Sequence, residues 1–289
     1  MNDMISHPAH RVGSRPETFL QLARYFVRVT IARSYVRVIG AQRELSWILG
    51  DTILPFLSVA AYVLVYKVMG APEEYTGFVI LGGVLVTFWM HMIWSMGMQL
   101  FWEKEMGNLE RYLMTPMPRS GLMLGMALGG IYMTATRAAM IYIAAKLLFK
   151  MELNVTEPWM ALAVFLATMA ALYGMGMTLS SFFFMAGRGV FYGLGIMTEP
   201  MFFLGGFYFP VKHLGMFAAA GVALIPTTLG LDALRQTMLG AYDSGLLPPL
   251  VEFWILVGMA VVLTAISIYA VDKLEQIGRE RGKLVLRNQ

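Results

Sequence analysis

Six stretches of the chain run for about 20 residues or more with almost no charge, and the arginines and lysines collect between them. A hydrocarbon core about 30 Å thick takes about 20 helical residues to cross, so this alternation constrains the fold more than any other feature. The stretches are 47–69, charged at Asp51 and Lys67; 78–101, with His91; 121–149, with Arg137 inside and Lys146 near its end; 159–186, uncharged; 190–208, broken by Glu199-Pro200; and 250–271, charged at Glu252. Only 14% of the residues are charged, against about 25% in soluble domains. Folded in water, such a chain could not cover its own outside. The expected fold class is an all-α membrane protein with six transmembrane helices.

A seventh apolar stretch, 213–230, is bounded by Pro210 and divided by Pro226. Its uninterrupted part, His213 to Ile225, has 13 residues, about 20 Å of helix. That is too short to span, and it reads as a re-entrant outer segment between spans five and six, shielded by protein. Charge parity supports the count. Arg11, Arg15, Arg24, Arg28, Arg33, Arg37 and Arg43 precede span one; Lys104, Arg111 and Arg119 follow span two; Arg188 follows span four; Lys273, Arg279, Arg281, Lys283 and Arg287 end the chain. Six spans put all of these on one side, which the positive-inside rule makes cytoplasmic, both termini included. A seventh span would place the basic tail outside. The opening residues MNDMISHPAHRVGSRPE lack the apolar core of a signal peptide.

Residues 17–45 mix ten large apolar residues with five arginines and read as an amphipathic interfacial helix. At 100° per residue Arg24 and Arg28 share a face, while Arg33 and Arg37 fall opposite. One straight helix would bury arginine, so a break near Thr30 is expected. The chain then divides into a disordered N-terminus (1–16), the interfacial helix (17–45), a single transmembrane domain (46–272) and a basic cytoplasmic tail (273–289).

Catalytic signatures are missing. There is no G-x-x-x-x-G-K-[ST] phosphate loop; the string Gly278 to Leu284 has the wrong spacing and no hydroxyl. No serine-nucleophile motif, paired catalytic carboxylates or H-E-x-x-H stands in the sequence. Cysteine is absent and the four histidines are scattered, so no metal site is expected. The chain reads as a non-enzyme. Two other segments carry information. Residues 103–114 after span two form a short amphipathic helix, with Met106, Leu109, Tyr112 and Leu113 as an apolar ridge and Thr115-Pro116 as its stop. Such a ridge either docks into a partner's groove or rests on the membrane surface. In Phe203–Pro210, paired glycines let the backbone turn and proline ends helical pairing.

Arg137 lies about 16 residues into span three, where a charge is costly unless paired or wet. It either pairs with Glu199 of span five or snorkels to the outer headgroups. His91 and Gln99 read as helix-packing hydrogen bonds, and the 25 methionines as membrane-core filling.

The order of these parts resembles the membrane subunits of type-two ATP-binding-cassette exporters. In that family the loop after the second span carries a pattern like E-x-x-x-G-x-L-E-x-L-x-x-x-P. This chain has Glu103, Gly107, Leu109, Glu110, Leu113 and Pro116, with the last leucine one position late. A later small-Gly-x-x-F-P run is matched by Gly205, Gly206, Phe209 and Pro210. A Pro-x-T/S…D-A-x-R run is matched by Pro226, Thr228, Asp232 and Arg235. The similarity extends over about 17–275, with spacing most like daunorubicin-type drug exporters and nodulation-factor exporters.

The resemblance implies a permease subunit in the bacterial inner membrane, working as a dimer with itself or a paralogue. It implies two partner ATPase subunits that bind ATP and Mg, with no cofactor on this chain and membrane lipids but no nucleic acid as further partners. Residues 103–114 would contact the ATPase, and 210–230 would form short re-entrant gate helices at the outer mouth. A hydrophobic or amphipathic substrate (lipid, lipid-linked glycan or drug) would pass near the dimer interface, lined by spans one, two and five. Two rival readings are a stand-alone secondary transporter, which calls for inverted repeats and paired intramembrane charges, and a lipid-modifying enzyme, which calls for clustered His, Asp or Glu.

Overall fold

The computed structural model describes residues 19–43, 45–72, 74–108, 111–112, 115, 117–149, 155–186, 189–239 and 245–280. The expected N-terminus (1–16) and residues 281–289 of the expected tail (273–289) lie outside these residues, while 273–280 continue the last helix. Among the described residues the fold is all helical. The helices are α1 (Phe19–Gln42), α2 (Leu45–Val68), α3 (Glu74–His91), α4 (Gln99–Glu105), α5 (Arg119–Phe149), α6 (Pro158–Ala186), α7 (Val190–Leu204), α8 (Met216–Val222), α9 (Pro226–Met238) and α10 (Pro249–Glu280). A π-helical turn, Met92–Gly97, joins α3 to α4, so that Glu74–Glu105 runs as one long rod.

Among the described residues four helices are long and apolar enough to cross a membrane: Ile48–Val68, Glu74–Glu105, Pro158–Phe183 and Pro249–Val271. They coincide with the first, second, fourth and sixth expected spans. The other two expected spans do not meet that standard. α5 has the length, 31 residues, but carries Arg137, Lys146 and many small residues. α7 has only 15 residues.

The α3–α4 rod and α6 form the centre. The spanning window of the rod is 83% buried, whereas those of α2 and α10 are 11% buried. The two outer helices turn Leu54, Leu57, Leu64, Trp254 and Val261 outward. In water such faces would collapse together; in a bilayer they need no protein cover. Small residues let the inner helices touch. A Cβ on Gly176 of α6 would come within 2.9 Å of Met92, and one on Gly230 of α9 within 2.1 Å of Thr168 on α6. Close approach of this kind, rather than water exclusion, holds helices together in lipid.

Three local expectations are corrected. First, α1 does not break near Thr30; it is a single helix of 24 residues. The break was expected to spare Arg33 and Arg37 from the apolar side. Both instead face protein partners, while Arg24 and Arg28 remain exposed. Second, 103–114 is not one helix. α4 stops at Glu105, and Gly107 takes φ +70°, a left-handed conformation that suits glycine at a helix C-terminus. Third, the apolar stretch 213–230 is divided at Pro226 as expected, but its first part is not one uninterrupted helix: it holds only a 3₁₀ turn, Val211–Leu214, and the seven-residue α8, with Gly215 between them. Pro226 opens a new helix, α9, at the position where its missing N–H costs nothing.

Candidate functional site

Three features group the polar residues: a junction at the end of the bundle rich in arginine, a cleft beside it, and a plug at the opposite end.

The junction joins α1, the end of the α3–α4 rod, and the loop before α5. α1 lies along α5 because Gly121, Gly125 and Gly129 recur every fourth residue and open a groove on one face of α5. A Cβ on Gly125 would approach the Thr30 carbonyl to 2.6 Å. Two hydroxyls of α1 use that closeness: Thr30 donates to the Gly121 carbonyl at 3.1 Å and Ser34 to the Gly125 carbonyl at 2.8 Å. This seating aims Arg33 and Arg37 at the rod. Arg33 Nη2 pairs with Glu103 Oε1, and its guanidinium stands 5.2 Å from the centre of the Tyr112 ring. Arg37 donates from Nη1 to Gln99 Oε1 and from Nη2 to Ser95 Oγ. Gln99 Nε2 in turn donates to Glu103 Oε1 at 2.8 Å. Burial pulls the Arg37 guanidinium down from its ordinary value to about 10, which leaves it charged at neutral pH. Burial likewise pushes the Tyr112 phenol upward, partly opposed by Arg33.

Arg37 therefore grips both Ser95 inside the π turn and Gln99 in the helix that follows. A π turn interrupts the regular helical ladder, and such turns mark hinges and functional positions. The Leu100 N–H just beyond it donates to Ser180 Oγ of α6 at 3.1 Å.

The cleft lies between α2, α3 and α5, with a volume of about 740 Å³. Its polar wall includes Asp51, Arg137, His91, Ser95 and Gln99, and its apolar wall includes Trp94, Trp102, Met90 and Met106. Arg137 Nη1 is 2.5 Å from Asp51 Oδ2. His91 Nδ1 is 3.0 Å from the Tyr173 hydroxyl of α6. Within one chain, then, the partner of Arg137 is Asp51 and not Glu199, which is exposed on α7. Asp51 sits near the start of span one, and the sequence offered no register by which to choose it over Glu199.

The plug is formed by α9 and the bend Gly205–Phe209. Arg235 is 2% exposed. It donates to three backbone carbonyls: Gly206 at 2.6 Å, Phe207 at 2.8 Å and Phe78 at 2.9 Å. Its guanidinium also stands over the Phe78 ring, 3.2 Å from the centroid. Gly206 turns with φ +74°. A Cβ on Gly82 of α3 would fall 1.7 Å from the Phe207 carbonyl oxygen, so only glycine lets the bend lie against α3. Asp232 accepts from the Leu246 N–H at 2.7 Å and from Gln236 Nε2 at 3.0 Å, tying α9 to the approach to α10. Tyr66 of α2 donates to the Tyr208 carbonyl at 2.9 Å, and Tyr62 stacks on Tyr208 at 4.0 Å.

Residues 27–239, well over half of the chain, match the family model described as ABC-2 type transporter. The chain belongs to the ABC-2 type transporter family. The matched region takes in most of α1, the junction, the cleft and the plug. No curated protein matches closely enough to count as a relative. As an ABC-2 membrane domain the permease is a transport subunit and not itself a catalyst, in a family that pairs with ABC ATPase subunits. Among the described residues no group of three or more His, Asp or Glu could hold a metal ion.

The residues singled out from the sequence fare differently in the permease. Gly205, Gly206, Phe209, Pro210, Pro226, Asp232 and Arg235 do come together, in the plug. Of the loop residues, Leu109, Glu110, Leu113 and Pro116 lie outside the described residues. Gly107 is the exposed turn after α4. Glu103 was expected in the partner-contacting segment 103–114, yet it is 2% exposed and paired inward with Arg33. The reason is position: it ends the rod and does not begin the loop. Sequence reasoning missed the Gly121-x₃-Gly125-x₃-Gly129 stripe, which was readable at helical spacing. It also missed the π turn, for which the sequence carries no signal.

Proposed function

We propose that this permease is the membrane half of an ATP-driven exporter in a bacterial inner membrane. It works as a dimer, with itself or a paralogue, and takes its energy from two separate ABC ATPases that bind ATP and Mg. Both termini face the cytoplasm, and α5 and α7 complete a six-span bundle. The junction then lies on the cytoplasmic side, and the plug, with its short re-entrant helices, is the outer gate. The loop through Gly107, Leu109, Glu110, Leu113 and Pro116 receives the ATPase. Glu103 acts one step behind it by fastening the loop's origin to α1. Hydrophobic or amphipathic molecules (lipid, lipid-linked glycan or drug) are the cargo, in keeping with the daunorubicin and nodulation-factor branch.

The observation that carries the reading is the family match over 27–239. The arrangement around the loop supports it. Arg33 and Arg37 connect α1 to the π turn and to the helix that follows it, so a push on the loop reaches α1 and span two together. An equilibrium between two states can be biased only by a partner that binds them unequally, and this junction offers a place for such bias.

The test is co-purification from native membranes in mild detergent, for wild type and for the double variant Glu110→Lys, Leu113→Asp. Wild type should retain a P-loop ATPase and the variant should lose it. A wild-type chain that retains no ATPase, and still moves cargo on an ion gradient, would instead be a secondary transporter.

A further inference from the structure

The cleft beside the junction contains an ion pair that bridges α2 and α5 and lines the cleft. Asp51 stands on α2, a helix with little protein around it, and keeps 43% of its side chain exposed, against 12% for Arg137. Arg137 engages Asp51 through Nη1, and a guanidinium has five N–H donors. A ligand in the cleft therefore meets an open carboxylate and, beside it, a guanidinium with donors to spare. Charges at membrane depth are costly, and pairing or water offsets the cost. A ligand bearing one charge would separate the pair and leave the other member uncompensated. A ligand bearing both charges would replace the pair member for member.

The rest of the wall narrows the choice. Trp94 and Trp102 are each more than 40% exposed and line the same cleft. Indole faces attract an ammonium group, and guanidinium binds phosphate through two parallel hydrogen bonds. Leu54, Met90 and Met106 supply apolar surface in the cleft. The volume of about 740 Å³ is that of a small-molecule site, enough for a headgroup and the first part of its chains.

We propose that this cleft binds a zwitterionic amphiphile whose headgroup carries a primary ammonium and a phosphate, as phosphatidylethanolamine does. The ammonium is taken by Asp51 and the indoles, the phosphate by Arg137, and the chains leave over Leu54. The assignment deepens the permease reading, since it names the chemical class of the cargo. Binding itself is measured without any ATPase, so failure here leaves the ATPase pairing untouched.

The experiment is native mass spectrometry of the full chain in detergent, titrated with four probes. These are phosphatidylethanolamine, phosphatidylglycerol (anion only), a long-chain primary amine (cation only) and water-soluble phosphoethanolamine. Phosphatidylethanolamine should bind at least tenfold more tightly than either singly charged amphiphile. Phosphoethanolamine should bind at least tenfold more weakly than the lipid, marking a lipid and not a free metabolite as the occupant. Asp51→Asn and Arg137→Gln should each remove the preference, and Trp94→Ala should weaken binding about threefold with the preference kept. The headgroup series needs only wild-type protein, so it decides even where a variant fails to fold. Equal binding of phosphatidylglycerol with Asp51→Asn tolerated would make this an anion site, equal binding of the amine with Arg137→Gln tolerated a cation site. Indifference to headgroup would make it an apolar groove. Tight binding of phosphoethanolamine would make it a site for a soluble metabolite. Each of these overturns the proposal.

Discussion

Arginine fastens both ends of the bundle, but to different partners. At the basic end Arg33 and Arg37 reach the side chains of Glu103, Gln99 and Ser95, each of which has other rotamers. At the opposite end Arg235 reaches the backbone carbonyls of Gly206, Phe207 and Phe78, which cannot turn away without moving the chain. Glycine is required at both ends: a Cβ on Gly125 would stand 2.6 Å from the Thr30 carbonyl oxygen of α1, and one on Gly82 would stand 1.7 Å from the Phe207 carbonyl oxygen. The basic end is thus built from contacts that can exchange, and the plug from contacts that hold or fail as a block. On the proposed reading, with the loop as the input and the plug as the outer gate, this division lets the input move before the exit opens.

The comparison can be broken at its stiff side first. Arg235→Met removes three hydrogen bonds from buried carbonyls and should cost about 3 kcal/mol or more. The measurement is the thermal transition of the detergent-solubilised permease, and an unchanged transition would show that the plug is held by other means. Gly82→Ala should cost about 1–3 kcal/mol by overpacking and lower the same transition, because the Phe207 carbonyl has to move.

The exchangeable side should respond less in stability and more in coupling. A double-mutant cycle of Arg33→Met and Glu103→Gln should give an interaction energy of about 1–2 kcal/mol, read from chemical unfolding. ATPase activity of the assembled complex should fall more than its stability. Full additivity would mean that the two side chains touch without coupling. The smallest effect is expected for Thr30→Val, which loses one shared hydroxyl contact with the Gly121 carbonyl. About 1 kcal/mol is expected, seen as faster proteolysis of α1 with the plug unaffected.

Much of the fold could be read from the sequence, because lipid imposes a simple length rule. Four spans met it outright. α5 and α7 did not, the first through Arg137 and its small residues, the second through its 15 residues. The plug was legible as a set of residues, since Gly205-Gly206, Pro226 and Asp232-Ala233-Leu234-Arg235 each carry a backbone consequence. What Arg235 grips was not legible, because its partners are backbone carbonyls, which every residue has. Arg33 and Arg37 misled for a related reason. Helical geometry placed them on the face opposite Arg24 and Arg28, and only tertiary packing shows that this face meets Gln99 and Glu103. For Arg137 the sequence reading weighed Glu199 against the outer headgroups and passed over Asp51, the carboxylate it meets in the structure.

The most direct test compares the two ends within one experiment. A photo-crosslinking amino acid is placed at Arg111, exposed in the loop after α4, and in a second variant at Phe217, which is 95% exposed on α8. Irradiation of native membranes followed by mass spectrometry identifies what each position touches. The account predicts a P-loop ATPase crosslinked at Arg111 and none at Phe217. An ATPase captured at Phe217, or at neither position while the permease still exports, would contradict it.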